Sequence, residues 1–221
     1  MIAAKRDTFV MRRAVQTALA CQDRLWYRSI LKNDLVGCKL SVVEELAVVD
    51  GAIQTAESLA QHIIQQYGML SPQKLAGLMG LKIVECIGDL VEPYLRLGLY
   101  EPGIRTISVN ESAILLIRHF ISANGLQRET PVDEILRIVL FHEIFHALEE
   151  DTPGIYTRSK MLKRKALGIF PYRRGLSSVS EVGAVHFSKC MTGIGYSPCI
   201  YERYLLLALE QLSIDFLSPT V

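Results

Sequence analysis

Ile135-Leu136-Arg137-Ile138-Val139-Leu140-Phe141-His142-Glu143-Ile144-Phe145-His146-Ala147-Leu148-Glu149-Glu150 is the stretch on which the reading of this chain turns. Wound as a helix it is apolar on nearly every side, and such a helix belongs in the core. His142, Glu143 and His146 lie within it, where unpartnered polar groups are costly. Residues four apart share a helix face, so His142 and His146 present two imidazoles to one point. Glu143 stands beside them. This His-Glu-x-x-His spacing suits a zinc site, with the histidines as metal ligands and Glu143 as the catalytic general base toward water.

A catalytic zinc needs a third protein ligand and one open position. Glu149 and Thr152 stand where the long metzincin continuation has its Gly and its third His, which excludes that continuation. Glu150 shares the stripe, but lies about 12 Å along the axis from His142, too far to converge easily. A second helix is the better source, with Glu181 as first candidate and His186 as second. Ala184 and Phe187 would pack that helix on the motif helix, and Ser178 or Ser180 would cap it. An oxyanion donor is available from Tyr156, Tyr172, Arg173 or Arg174, and the sequence does not choose among them.

Working outward, Thr130-Pro131-Val132-Asp133 predicts the start of the motif helix, with Thr130 as N-cap and Pro131 first in the helix. Upstream, Glu111 to Ala123 reads as a helix. Tyr94 to Tyr100, the turn Glu101-Pro102-Gly103 and Ile104 to Val109 read as a hairpin, and Leu81 to Ile87 as a further strand. One or two helices are expected between Asp7 and Leu35, a longer one from Val42 to Tyr67, and a short one from Gln73 to Met79. Downstream, Thr152 to Ser180 carries seven basic residues and no acid, and reads as a loop. Helices from Ser180 to Met191 and from Tyr201 to Phe216 follow. The fold class expected is α+β: mostly helical, with about three strands in a small sheet packed on the motif helix. Residues 1–50 are expected to form a helical N-terminal extension and residues 51–221 the domain proper.

The 24 Lys and Arg nearly balance the 23 Asp and Glu, so no global field points to nucleic acid or a membrane surface. Basic residues between Lys5 and Lys32 read either as an arm for an acidic partner or as a solvated face. Cys21, Cys38, Cys86, Cys190 and Cys199 form no CxxC pair and read as reduced thiols of a cytoplasmic protein. The first residues lack the apolar core of a signal peptide, and no run of 18 apolar residues predicts a membrane span.

Several segments together resemble the ImmA/IrrE metallopeptidase family, between Ala56 and Met191. Ala56-Glu57-Ser58-Leu59-Ala60, Ser71-Pro72-Gln73-Lys74-Leu75-Ala76 and Met79-Gly80-Leu81-Lys82-Ile83-Val84 are similar to its opening helices and first strand. Ile107-Ser108-Val109-Asn110-Glu111 resembles its strand end, and Leu140 to His146 its active-site helix. Glu181-Val182-Gly183-Ala184-Val185-His186-Phe187 resembles the segment whose acid supplies the third zinc ligand. Phe145 replaces the usual Gly of the motif, Gly183 stands where a second acid is common, and Val185 where Asn is. Cys190-Met191-Thr192-Gly193 replaces the usual ending.

The resemblance implies a minimal zincin-like domain holding Zn2+ through His142, His146 and Glu181. It also implies a bacterial or phage hydrolase whose partner is a protein substrate, often a transcriptional repressor. No helix-turn-helix signature stands out, so direct contact to nucleic acid is not expected, and the lack of a long apolar run speaks against a membrane partner. A regulatory or binding module of the same shape, with little or no turnover, is the alternative.

Overall fold

The computed structural model describes residues 8–90, 95–166 and 170–219, and between 161 and 174 only strand backbone. Helices α1 (Thr8–Leu19) and α2 (Asp23–Asn33) lead into the long α3 (Val42–Tyr67) and the short α4 (Pro72–Leu78). Strands β1 (Lys82–Cys86), β2 (Gly98–Glu101) and β3 (Thr106–Asn110) follow, then α5 (Glu111–Ala123) and α6 (Glu134–Asp151). The chain continues through α7 (Tyr156–Ser159), β4 (Met161–Ala166), β5 (Phe170–Gly175), α8 (Ser178–Thr192) and α9 (Ile200–Ala208). The fold is α+β, mostly helical, with a three-stranded mixed sheet. None of its described helices is long and apolar enough to cross a membrane.

Local chemistry sets many of these boundaries. Ser41 and Glu44 form a reciprocal capping box at the start of α3, and Ser71 with Pro72 begins α4. Asn110 ends β3 and caps α5 by accepting from the Ala113 N–H at 3.2 Å. The sheet order is β1-β3-β2, with β1 parallel and β2 antiparallel to β3. β2 is therefore an edge strand. Both β2 and β3 pack on α6, as expected of the small sheet.

α6 runs through the centre of the core. Phe141, Ile144, Phe145 and Ala147 are fully buried, and the helix packs against α8 as well as the sheet. Its start differs from the expectation. Thr130 is not an N-cap: α6 begins at Glu134, because Thr130 is engaged elsewhere. The Thr130 hydroxyl lies 3.3 Å from the Leu126 carbonyl and 3.2 Å from the Tyr204 hydroxyl, while Tyr201 donates to the Pro131 carbonyl. Tertiary contacts with α9 have taken the groups a cap would use.

α9 is also shorter than expected. It ends at Ala208, and Glu210 takes a left-handed conformation (φ 57°) while the Gln211 N–H bonds back to the Leu206 carbonyl at 2.9 Å. The basic segment after Thr152 is not all loop: it contains α7 and the antiparallel pair β4–β5. Its connection at 167–169 lies outside the described residues, as do the initial basic residues Lys5 and Arg6 and the expected hairpin's first residue, Tyr94.

Residues 8–50 share the same core. The position between 50 and 51 falls inside α3, and Met11, Val15, Trp26, Tyr27 and Leu31 join one continuous cluster with α6 and α8. Burying each large apolar side chain of this kind stabilises by about 1.5–3 kcal/mol, so this segment carries a substantial part of the fold. Four of its cations are paired within the chain: Arg12 with Glu129, Arg24 with Asp50, and Arg28 and Lys32 with the fully buried Glu45. Burial works to raise the Glu45 carboxyl, but Lys32 and Arg28 outweigh it and hold the group below its ordinary range.

Candidate metal centre

The i, i+4 spacing on α6 brings His142 and His146 to one face, and the first turn of α8 adds Glu181. The two Nε2 atoms are 3.2 Å apart. Glu181 Oε2 lies 3.2 Å from His142 Nε2, and Glu181 Oε1 lies 3.7 Å from His146 Nε2. Ligands about 2.0–2.1 Å from a tetrahedral zinc stand roughly 3.3 Å from one another, so these separations fit such an ion. All three side chains offer ligand atoms within 4.8 Å of each other. A metal ion can be held here.

The electrostatics agree. Burial opposes charge on His142, but the hydrogen bond and charge of Glu181, with Glu143 and Glu149 nearby, raise its pKa to about 9. Burial opposes charge on Glu181 too, yet His142 and His146 draw its carboxyl down to about 2. The cluster is thus set to hold positive charge between its donors, which a divalent cation supplies on displacing the proton.

Glu149 stands behind His146. Its Oε2 lies 3.1 Å from His146 Nδ1 and accepts from the Ser180 hydroxyl at 2.5 Å. Ser180 Oγ is itself 3.1 Å from His146 Nδ1. With its proton on Nδ1, directed at this carboxylate, His146 keeps the Nε2 lone pair free for the ion. Glu149 is only 3 % exposed, which is costly for a carboxylate without such a role. Glu149→Ala is expected to weaken metal binding about 10–100-fold, read by competition with a chromophoric chelator. An unchanged affinity would remove Glu149 from this role.

Glu143 faces the edge of the sheet. Its Oε2 accepts from the Tyr100 N–H of β2 at 2.8 Å. Gly98 is needed opposite, since a Cβ there would come within 2.9 Å of the Glu143 Cγ and Oε1. The histidines, Glu143, Glu149 and Glu181 all open onto one cleft of about 1070 Å³. Leu97 and Leu99 of the β2 segment and Ile30 and Asn33 of α2 also line it.

The other described candidates do not join the metal cluster. His186 is not a third ligand: its Nδ1 is 2.9 Å from the Tyr27 hydroxyl and its Nε2 is 3.3 Å from Glu57. Glu150 pairs with Arg158. Tyr156 does not line the cleft; it packs over Gly51 of α3, with its hydroxyl 3.5 Å from the Ala47 carbonyl. The side chains of Tyr172, Arg173 and Arg174 lie outside the described residues. Neither Ser178 nor Ser180 caps α8, whose N-cap position is Ser177, and Ser180 turns to Glu149 instead.

Phe145 is fully buried in the core, with its ring centroid 5.5 Å from that of Phe187 and 6.2 Å from that of His146. Sequence reasoning missed Glu149, Ser180 and the Tyr100 N–H. For Glu149 a signal existed, since an acid three residues after His146 shares its helix face. The chain matches no family model, no curated protein and no solved structure.

Proposed function

We propose that this chain is a zinc-dependent peptidase that hydrolyses a peptide bond in a protein substrate. The supporting observation is the convergence of His142, His146 and Glu181 in a cleft that also receives the Glu143 carboxylate. Zinc held by these three side chains would supply Lewis acidity toward the scissile carbonyl and the attacking water. Glu143 takes a proton from the water as its oxygen attacks the carbonyl carbon. It then returns that proton to the leaving nitrogen as the C–N bond breaks, so the carboxylate is regenerated. Glu149 and Ser180 hold His146 in orientation. The edge strand β2 borders Glu143, and an extended substrate segment can lie along it as an added strand.

Two histidines and a carboxylate also suit ferrous iron. Glu143 favours zinc, because a hydrolytic site needs a base at that position. The resemblance to ImmA/IrrE proteins nominates a cytoplasmic regulatory protein, such as a repressor, as substrate. Elemental analysis of the protein as purified is expected to find zinc at about one ion per chain, the occupancy of a single site. Incubation with unfolded protein substrates should yield new termini by mass spectrometry, lost on chelation and regained with zinc. Cleavage indifferent to chelation would refute the proposal.

A further inference from the structure

Helix α2 lies along α8 and is tied to it at three places. Asp23 pairs with Lys189 near the end of α8. The buried Tyr27 hydroxyl meets His186 Nδ1 at 2.9 Å in its middle. At the other end Asp34, just beyond α2, reaches the start of α8. Its Oδ2 accepts from the Ser177 hydroxyl at 3.1 Å and from the Ser178 N–H at 3.4 Å. The first turn of α8 has no cap from its own N-cap side chain, so a carboxylate from 143 residues away in the chain serves that end.

The carboxylate is itself fixed. Its Oδ1 accepts from the Val36 N–H at 2.7 Å and the Gly37 N–H at 3.1 Å. That turn is tight enough to require glycine, since a Cβ on Gly37 would come within 2.2 Å of the Leu31 carbonyl oxygen. Asp34 therefore joins a rigid turn to the helical turn that carries both Ser180 and Glu181.

We infer that α2, acting through Asp34, positions the third metal-binding side chain, so that residues outside the ImmA/IrrE-like region support the metal centre. This rests on His142, His146 and Glu181 being a metal site. Asp34 touches neither ion nor substrate; it is a positioning residue acting through Ser177 and Ser178 on Glu181. The same helix contributes Ile30 and Asn33 to the wall of the cleft, so α2 shapes the site and holds its third ligand.

The test compares Asp34→Ala with Ser71→Ala, which removes the side-chain cap of α4 and none of the contacts to α8. Zinc affinity is measured by chelator competition, and the geometry of the site by the visible absorption of the cobalt-substituted protein. Asp34→Ala is expected to weaken zinc about 10–100-fold, as losses behind metal ligands do, and to alter the cobalt spectrum. Ser71→Ala is expected to lower Tm while leaving both unchanged. If Asp34→Ala fails to fold, Asp34→Asn is measured in the same way. Wild-type zinc affinity and cobalt spectrum in the folded Asp34 variant would overturn the inference alone. A wild-type protein that binds neither ion would overturn the metal site beneath it.

Discussion

Glu143→Gln is expected to cut peptide hydrolysis by about 10²–10⁴-fold, the range a positioned general base supplies. Zinc content and Tm should stay close to wild type. The separation follows from geometry. His142, His146 and Glu181 are untouched, so the ion keeps its ligands. The amide oxygen of glutamine can still accept the Tyr100 N–H that Glu143 takes at 2.8 Å, so the edge of β2 stays satisfied. What is lost is an atom able to take and return a proton. Cleavage rate, elemental analysis and thermal melting on one preparation read the three quantities together. Undiminished cleavage would refute the role of Glu143. A zinc-replete wild type that cleaves nothing would point to the binding module.

Phe145→Ala is expected to destabilise the fold by about 3–5 kcal/mol, because it empties a fully packed site beside Phe187 and Gly183. For a domain this size that is a fall in Tm of roughly 10 °C. Gly183→Ala is expected to cost about 1–3 kcal/mol for the opposite reason. Its new Cβ would come within 2.6 Å of Phe145 Cζ, 2.8 Å of Cε1 and 3.0 Å of Thr157 Cγ2. Each variant relieves the other's defect, so the double variant should fall short of the sum by about 0.5–3 kcal/mol. Denaturant unfolding of all four proteins measures this, and strict additivity would refute it. A bulky Phe145 and a bare Gly183 then share one volume across the α6–α8 contact.

Much of this architecture was legible before folding was considered. The α6 helix, the capping box of α3 and the strand–turn–strand around Pro102 depend on neighbours within a few residues, and local pattern encodes them. The expectations that failed lie where a distant partner outbid a local signal. Thr130 has the chemistry of a cap, but Tyr204, 74 residues on, holds its hydroxyl. Ser180 has it too, and went to Glu149 across the α6–α8 interface. His186 has the chemistry of a ligand, but buried Tyr27 and Glu57 of α3 turn it away from the cluster.

By itself the sequence determined that a buried helix would display His142 and His146 on one face with Glu143 beside them. That follows from a helical period of 3.6 residues and from the cost of burying such groups without a partner. Only the tertiary structure decided that Glu181 completes the cluster at 3.2 Å from His142, that Glu149 orients His146, and that Asp34 anchors the helix bearing Glu181. Those contacts join atoms far apart in the chain. Their geometry is set by how α2, α6 and α8 pack together, which no local period can specify.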